Sequence, residues 1–386
     1  MKGLRSYLPV IFCAMCAICA LSWPLSFINN HLPSDYSVFW AAANMALEHP
    51  DLIYNDAAVT LRQAGVTDVA GTLRPWAYPP TALIPLLPFS LLPYQLSLTA
   101  FVLVSGGMFL FAARQLFERR ALIAMALIAL SQPVIFAALN GQMILLVAAL
   151  AFGGLVALPR SPVIAGVFLG LAAAIKPQLL VFAPLALLAG RQYRALGAAT
   201  LAGLAMVLIS LAFGLGRWTE WIAAVGRFRA TVESLDILYR NVTPTGILWF
   251  WGLTGAGQLI ANGLFALAGA VGVWIIFRGN HPLSIRLVAL AGGGLFAAPY
   301  AMNYDLALLV PAAVAFIVEA DRRSAPLLPA LLGGMLLVSG GLWTAPVAVL
   351  FVLVSVTSYA WPARTRSVDQ ARLIGDASAE PVGHTG

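Results

Sequence analysis

The chain of 386 residues contains few charged side chains. Asp, Glu, Lys and Arg make up 10% of it, whereas 61% of the residues are hydrophobic and the mean hydropathy is +0.89. A typical soluble domain has roughly 25% charged residues. So few charges cannot cover the surface of a soluble protein of this size. The composition therefore excludes a soluble enzyme and predicts a polytopic membrane protein.

Cysteine, histidine and phosphate-binding loops are also scarce. The three cysteines lie in one apolar run without a nearby His or carboxylate, so small buried hydrophobes are favoured over metal ligands or a disulfide framework. The four histidines are too dispersed for a metal site. No glycine-rich loop follows a strand. We therefore expect neither a metal nor a cofactor; the residues concerned are Cys13, Cys16, Cys19, His31, His49, His281 and His384.

The net charge of +7 does not indicate nucleic-acid binding. Of the 22 basic residues 20 are Arg, but no segment contains a basic stripe with interleaved aromatic residues. We expect membrane lipids around the protein and no nucleic acid, and no sequence feature points to a protein partner.

Apolar runs predict an all-α bundle. The first run, about residues 8–28, follows Lys2 and Arg5 and fits a signal peptide or a first span; the apolar remainder favours the span. About twelve transmembrane helices are predicted, within a range of 10–13, and residues 81–92 are a candidate re-entrant piece. The further runs are 95–113, 121–138, 143–158, 162–175, 179–190, 196–214, 255–277, 283–298, 306–320, 325–340 and 345–360.

Charge placement predicts the sidedness of the bundle. With both termini cytoplasmic, the inner loops hold 15 of the 22 basic and 6 of the 15 acidic residues, as expected for a plasma-membrane protein. Two longer polar segments then face the periplasm or exterior. These are the first polar segment, about 29–80, and the second, about 215–245. Residues 1–361 form one membrane domain, and 362–386 are predicted to be a disordered cytoplasmic tail.

The second polar segment has an amphipathic pattern. Its apolar residues recur at helical spacing, with charged residues mostly off that face. This pattern predicts a helix that lies in the membrane interface. The apolar face comprises Trp218, Trp221, Ile222, Val225, Phe228, Val232 and Leu235.

Polar residues near helix ends on the outer side are the candidates for function, because such groups are costly near a bilayer. Asp35 fits either a helix N-cap or a general base toward an acceptor hydroxyl. Lys176 fits either an interfacial lysine that extends to the headgroups or a phosphate contact.

The remaining candidates also have simpler explanations. Three arginines of the second polar segment, Arg227, Arg229 and Arg240, fit a solvated helix face or an anionic-lipid contact. Asn140 and Gln142 flank a glycine that predicts a tight turn, and Asp305 fits a capping residue. Further candidates for substrate binding are Tyr36, Tyr78, Gln178, Asn241, Asn303 and Tyr304.

At these positions the chain resembles glycosyltransferase family 87, the polyprenol-phosphate-mannose-dependent mannosyltransferases. The likeness covers about residues 8–320, and its pieces are 34–42, 52–54, 78–80, 140–142, 166–178 and 299–305. It implies a GT-C fold whose first outer loop carries the catalytic Asp, here Asp35. The family's later outer motif commonly contains His, whereas this chain has Asn303, Tyr304 and Asp305, so no catalytic histidine is transferred.

The resemblance implies an inverting hexosyltransferase, with mannose as the best-known sugar. Asp35 would deprotonate an acceptor hydroxyl of a lipid or glycan, which attacks the anomeric carbon of a polyprenyl-phosphate sugar. Lys176, with Arg229 or Arg240, would stabilise the leaving phosphate. A transporter or lipid-linked sugar flippase is the competing class, and a structural scaffold is third. Transporters tend to place essential polar groups near the membrane midplane, in broken helices of repeated halves. In this sequence the candidate polar residues gather at the outer rim, and no repeat is visible.

Overall fold

The computed structural model describes residues 2–29, 35–67, 75–117, 120–234, 238–320 and 326–360, without the side chains of residues 2–4, 21–29 and 232–234. The predicted tail, 362–386, lies outside the described residues. Within the described ranges every regular element is a helix, and one antiparallel bridge joins Asn241 to Met302. The prediction of an all-α fold is confirmed.

Eighteen α-helices occur in the described residues. The first nine are α1 (Lys2–Asn29), α2 (Tyr36–Glu48), α3 (Asp56–Ala64), α4 (Leu87–Ser90), α5 (Tyr94–Arg114), α6 (Ala121–Leu130), α7 (Gln132–Leu139), α8 (Ile144–Ala157) and α9 (Pro162–Ile175). The second nine are α10 (Ala183–Ala189), α11 (Tyr193–Ser210), α12 (Gly216–Ser234), α13 (Pro244–Phe250), α14 (Gly255–Arg278), α15 (Leu283–Ala297), α16 (Val310–Val318), α17 (Leu327–Val338) and α18 (Thr344–Ala360). Short 3₁₀ segments are Pro50–Leu52, Pro80–Leu86, Leu211–Phe213, Leu238–Arg240, Asn303–Leu308 and Gly341–Trp343.

Four helical segments in the described residues are long and apolar enough to cross a membrane: Tyr94–Arg114, Tyr193–Phe213, Gly255–Arg278 and Gly341–Ala360. The pair α6 and α7 is long and apolar enough only when taken together, and it is bent by 56° at Ser131, so it forms either a broken span or a re-entrant loop. The protein is thus integral to the membrane, but the count of twelve spans is not confirmed. Other predicted runs form helices of 10–17 residues, such as α8, α9, α15 and α17, below the roughly 20 residues of a full crossing.

The helices divide into a buried group and a lipid-facing group. Every residue of α16 is buried, and so are most residues of α8 and α15. In contrast, α11 and α14 expose long rows of leucine. Together with the hydropathy of these helices, an exposed apolar row of that length indicates a surface that faces lipid. The rows comprise Leu201, Leu204 and Leu208 on α11 and Leu259, Leu264 and Leu267 on α14.

The amphipathic helix predicted in the second polar segment is present as α12, although its position in the membrane interface is not confirmed. Trp221 Nε1 donates to the Ala77 carbonyl at 3.2 Å, and Arg227 Nε donates to Asp56 Oδ2 at 2.8 Å. Ile222 and Val225 stay exposed. One edge of the apolar face therefore packs on the first polar segment, while the other edge has no cover from the described residues.

Helices α9 and α11 approach each other closely at two glycines. A Cβ on Gly166 would lie 2.1 Å from the Ala195 carbonyl oxygen, and one on Gly170 would lie 2.3 Å from that of Ala199. Backbone stands in the way in both cases, so a side chain can be accommodated only if the helices separate. This contact links the lipid-facing helix α11 to the helix that ends at Lys176.

Gly170→Ala is expected to destabilise the protein by about 1–3 kcal/mol, because the added methyl group overpacks the contact. The control is Gly203→Ala on α11, where nothing lies within 4 Å of the added Cβ; we expect it to be neutral or slightly stabilising through helix propensity. Thermal unfolding in detergent compares the two. Equal melting temperatures for both variants would contradict the close packing.

Candidate functional site

Asp35 directly precedes α2, but its side chain makes no capping bond to that helix. Instead Gln142 Nε2 donates to Asp35 Oδ2 at 2.6 Å, across 107 residues of sequence. The backbone reinforces the contact, since Tyr36 N donates to the Asn140 carbonyl at 3.0 Å. The carboxylate is therefore oriented by a distant turn and does not serve the helix it precedes.

That turn, residues 140–142, is rigid and tightly packed. Gly141 has φ of +59°, and a Cβ there would lie 2.6 Å from Tyr36 Cβ. Gln142 N donates to the Ala137 carbonyl, and Asn140 Nδ2 donates to the Phe136 carbonyl. Asn140 and Gln142 are both buried. Glycine at 141 permits the left-handed turn and the approach of α2, so the turn predicted from the sequence also positions Asp35.

Lys176 and Asp305 form a buried ion pair. Lys176 Nζ lies 2.5 Å from Asp305 Oδ1, and their side chains are only 2% and 5% exposed. Asp305 Oδ2 also accepts from Met302 N at 2.9 Å. Lys176 therefore does not extend to the headgroups. It lies at the end of α9, where it binds the 3₁₀ segment 303–308.

Two tyrosines flank this ion pair. Lys176 Nζ lies 5.5 Å from the ring centre of Tyr78 and 5.2 Å from that of Tyr304, within cation–π range. Tyr78 Oη also lies 3.5 Å from Gln142 Oε1, a long contact that connects the lysine to the residue holding Asp35. Together Asp35, Gln142, Tyr78, Lys176 and Asp305, with Tyr304, form the central cluster.

The ionisation of the cluster follows from its burial and charges. Burial disfavours the lysine ammonium, but the Asp305 carboxylate and the neighbouring Tyr78 outweigh it and hold the pKa of Lys176 above its usual value. Burial raises the pKa of Tyr78, and it raises the pKa of Tyr304 well above the usual range. Lys176 is therefore a cation at neutral pH and the two tyrosines are neutral hydroxyls.

The two arginines predicted to contact phosphate have different surroundings. Arg240 lies over the Phe136 ring at 6.0 Å, and Phe136 stacks on Tyr304 at 6.0 Å, so Arg240 lies at the edge of the central cluster. Arg229 instead donates to Gln258 Oε1 at 2.6 Å and lies over the Trp249 ring at 4.9 Å. These contacts place it with α13 and α14.

Of the other predicted site residues, Tyr36 and Asn303 make contacts that stabilise the fold. The Tyr36 hydroxyl bonds Ser97 Oγ at 2.8 Å, and the Tyr36 ring packs on Tyr94 and Phe101. Gln178 is exposed. Asn303 Oδ1 accepts from Tyr304 N at 3.1 Å within its own segment.

Asn241 joins the second polar segment to residues 300–302. Asn241 Oδ1 accepts from Ala301 N at 3.3 Å and from Thr243 N at 3.2 Å, and Val242 N donates to the Ala301 carbonyl at 2.8 Å. The Asn241 amide packs directly on Gly246, whose added Cβ would lie 2.2 Å from Asn241 Cγ. These contacts fix the backbone beside the central cluster.

Tyr300 is not among the candidate residues predicted from the sequence. The tyrosine belongs to the 299–305 piece of the resemblance, and the electrostatic influence of Asp35, Asp305, Tyr78 and Arg240 reaches its hydroxyl. Its position in that piece was the available signal. In the described ranges no group of three or more His, Cys, Asp or Glu is arranged to hold a metal ion.

The fold and the cluster define a helical membrane protein with a buried polar site at the ends of apolar helices. The model of glycosyltransferase family 87 matches residues 76–299, more than half of the chain. The chain therefore belongs to glycosyltransferase family 87, and it is a membrane glycosyltransferase. Comparisons with curated proteins and with solved structures find no match. The matched range includes Tyr78, Gln142 and Lys176, whereas Asp35 and Asp305 lie outside it.

Lys176→Met is expected to destabilise the protein by about 3–5 kcal/mol, because Asp305 is left as an uncompensated buried charge. The double variant Lys176→Met/Asp305→Asn removes that charge and should recover most of the loss. Glu48→Gln, at the half-exposed pair with Arg62, is the control and should cost at most about 1 kcal/mol. Thermal unfolding in detergent measures all three. A Lys176→Met variant as stable as the control would contradict the buried pair.

Proposed function

We propose that this protein transfers a hexose, mannose by family resemblance, from a polyprenyl-phosphate sugar to a lipid or glycan hydroxyl on the outer face of the membrane. The proposal assigns it a GT-C-type fold and no metal. The observation that carries it is the Gln142–Asp35 hydrogen bond, which holds a carboxylate in the same cluster as a buried cation. A base and a cation in one site suit an acceptor hydroxyl and a phosphate leaving group.

The position of the cluster supports a lipid-linked donor. Lys176 ends α9, and α9 packs through Gly166 and Gly170 on α11, whose leucines face lipid. A polyprenyl chain can lie along such an apolar surface while its phosphate reaches the polar cluster. The donor then needs no nucleotide-binding loop.

In the proposed reaction, Asp35 accepts the proton of the acceptor hydroxyl as that oxygen attacks the anomeric carbon. The bond between the anomeric carbon and the phosphate oxygen breaks, and the polyprenyl phosphate leaves with its electron pair. The single displacement inverts the anomeric centre. Because the leaving phosphate gains one negative charge, nearby cations stabilise the transition state.

Arg240 is our choice for the direct phosphate contact. The Arg240 Nε donates to the Tyr239 hydroxyl at 3.0 Å. This is the single hydrogen bond that the Arg240 side chain makes within the described residues, so the N–H groups of its two terminal nitrogens can donate to a ligand. Lys176 already has Asp305 as its partner. We therefore propose that Lys176 contributes positive electrostatic potential to the site and that Arg240 donates hydrogen bonds to the phosphate of the donor.

Asp35→Asn is expected to lower transfer about 10²–10⁴-fold, because the amide cannot accept the acceptor's proton. Asp51→Asn in the same polar segment is the control, since Asp51 is exposed, and should retain full activity. The assay follows labelled hexose from a panel of polyprenyl-phosphate sugars into membrane lipids and glycans at matched expression. Equal transfer by wild type and Asp35→Asn would refute the base assignment, and no transfer from any donor would favour a transporter.

Arg240→Gln is expected to raise the donor KM about 10- to 100-fold, the effect of losing a hydrogen bond to a charged group. Arg229→Gln serves as the comparison, because Arg229 binds Gln258, and should change the donor KM less than twofold. Steady-state kinetics at varied donor concentration separate the two. A larger effect at Arg229 would assign the phosphate contact to that residue instead.

A further inference from the structure

Tyr300 contains a polar atom without a partner. Its side chain is half-buried, its hydroxyl oxygen is inaccessible to solvent, and that oxygen makes no hydrogen bond within the described part of the chain. A buried hydroxyl in this state costs about 1–3 kcal/mol. Such a group in a folded protein requires an explanation, and a bound substrate that supplies the missing acceptor is one.

The ring of Tyr300 is held in place on two sides. Phe228 of α12 packs edge-on against it, with ring centres 5.4 Å apart at 79°. The next residue, Ala301, is fixed by hydrogen bonds to Asn241 and Val242. These contacts restrain the ring and the backbone before any substrate binds.

The segment that carries Tyr300 runs antiparallel to the segment that carries Arg240. Asn241 is bridged to Met302, and Val242 N donates to the Ala301 carbonyl at 2.8 Å. Tyr300 therefore lies on the segment next to the arginine assigned to the donor phosphate. Burial, followed by the effect of Asp305, raises the pKa of Tyr300 well above its usual value. The hydroxyl therefore stays protonated and can donate a hydrogen bond to an anionic oxygen.

Resting on the function proposed above, we propose that the Tyr300 hydroxyl donates a hydrogen bond to a phosphate oxygen of the polyprenyl-phosphate donor, beside Arg240. The acceptor hydroxyl must instead reach Asp35, whose carboxylate takes its proton. A phosphate oxygen supplies the acceptor that the protein lacks at Tyr300. Since charge on the phosphate rises as the sugar departs, this hydrogen bond strengthens in the transition state.

Tyr300→Phe tests the proposal, because it keeps the ring contact with Phe228 and removes only the hydroxyl. We expect kcat/KM for the donor to fall about 10- to 100-fold, with an unchanged KM for the acceptor. The inhibition constant of free polyprenyl phosphate should rise about tenfold. Tyr193→Phe is the matched control, since Tyr193 is exposed on α11, and should behave as wild type. Thermal unfolding should show Tyr300→Phe to be at least as stable as wild type.

Other outcomes overturn the proposal and are separable from failure of the function. Unchanged kinetics and unchanged inhibition in Tyr300→Phe would show that the hydroxyl makes no such bond. A rise only in the acceptor KM would move the hydroxyl to the acceptor site. If wild type transfers no sugar, the proposed function fails, and binding of farnesyl phosphate to wild type and Tyr300→Phe still decides the contact. Equal affinities would then overturn it.

Discussion

The buried ion pair of Lys176 and Asp305 is the constraint on which the site depends. A lysine and an aspartate so far from water are stable only together, because either charge alone is strongly disfavoured in a low-dielectric interior. The pair fixes the end of α9 to the 3₁₀ segment 303–308. The Tyr78 and Tyr304 rings pack against its cation, so segments from three regions of the chain converge on one lysine.

A second contact adds the catalytic candidate to this centre. The Tyr78 hydroxyl donates a long hydrogen bond of 3.5 Å to Gln142 Oε1, and Gln142 Nε2 donates to Asp35 Oδ2 at 2.6 Å. A single amide thus links the aspartate to the aromatic residues around the ion pair. Gly141 makes the arrangement possible, since a side chain there would collide with Tyr36. Asp35 therefore owes its orientation to packing between α2 and the 140–142 turn.

The central cluster and the lipid-facing surface are joined by direct helix packing. The glycine contacts between α9 and α11 bring a helix with exposed leucines against the helix that ends at Lys176. On another side, α12 packs on the first polar segment through Trp221 and on Tyr300 through Phe228. The lipid-facing surface, the central cluster and α12 therefore adjoin one another, as the proposed lipid-linked donor requires.

The sequence by itself indicated the membrane class, the helical fold and the family, and it named all six residues of the central cluster as candidates, because hydropathy and short motifs are local properties. Tertiary structure decided which helices are long enough to span, because breaks such as the 56° bend at Ser131 divide apolar runs that look continuous. It also decided that the Asp35 carboxylate binds Gln142 without capping α2, that Arg240 and not Arg229 borders the cluster, and that the buried Tyr300 hydroxyl makes no hydrogen bond within the described residues. The bond between Asp35 and Gln142, for example, joins residues 107 positions apart, which no local pattern encodes.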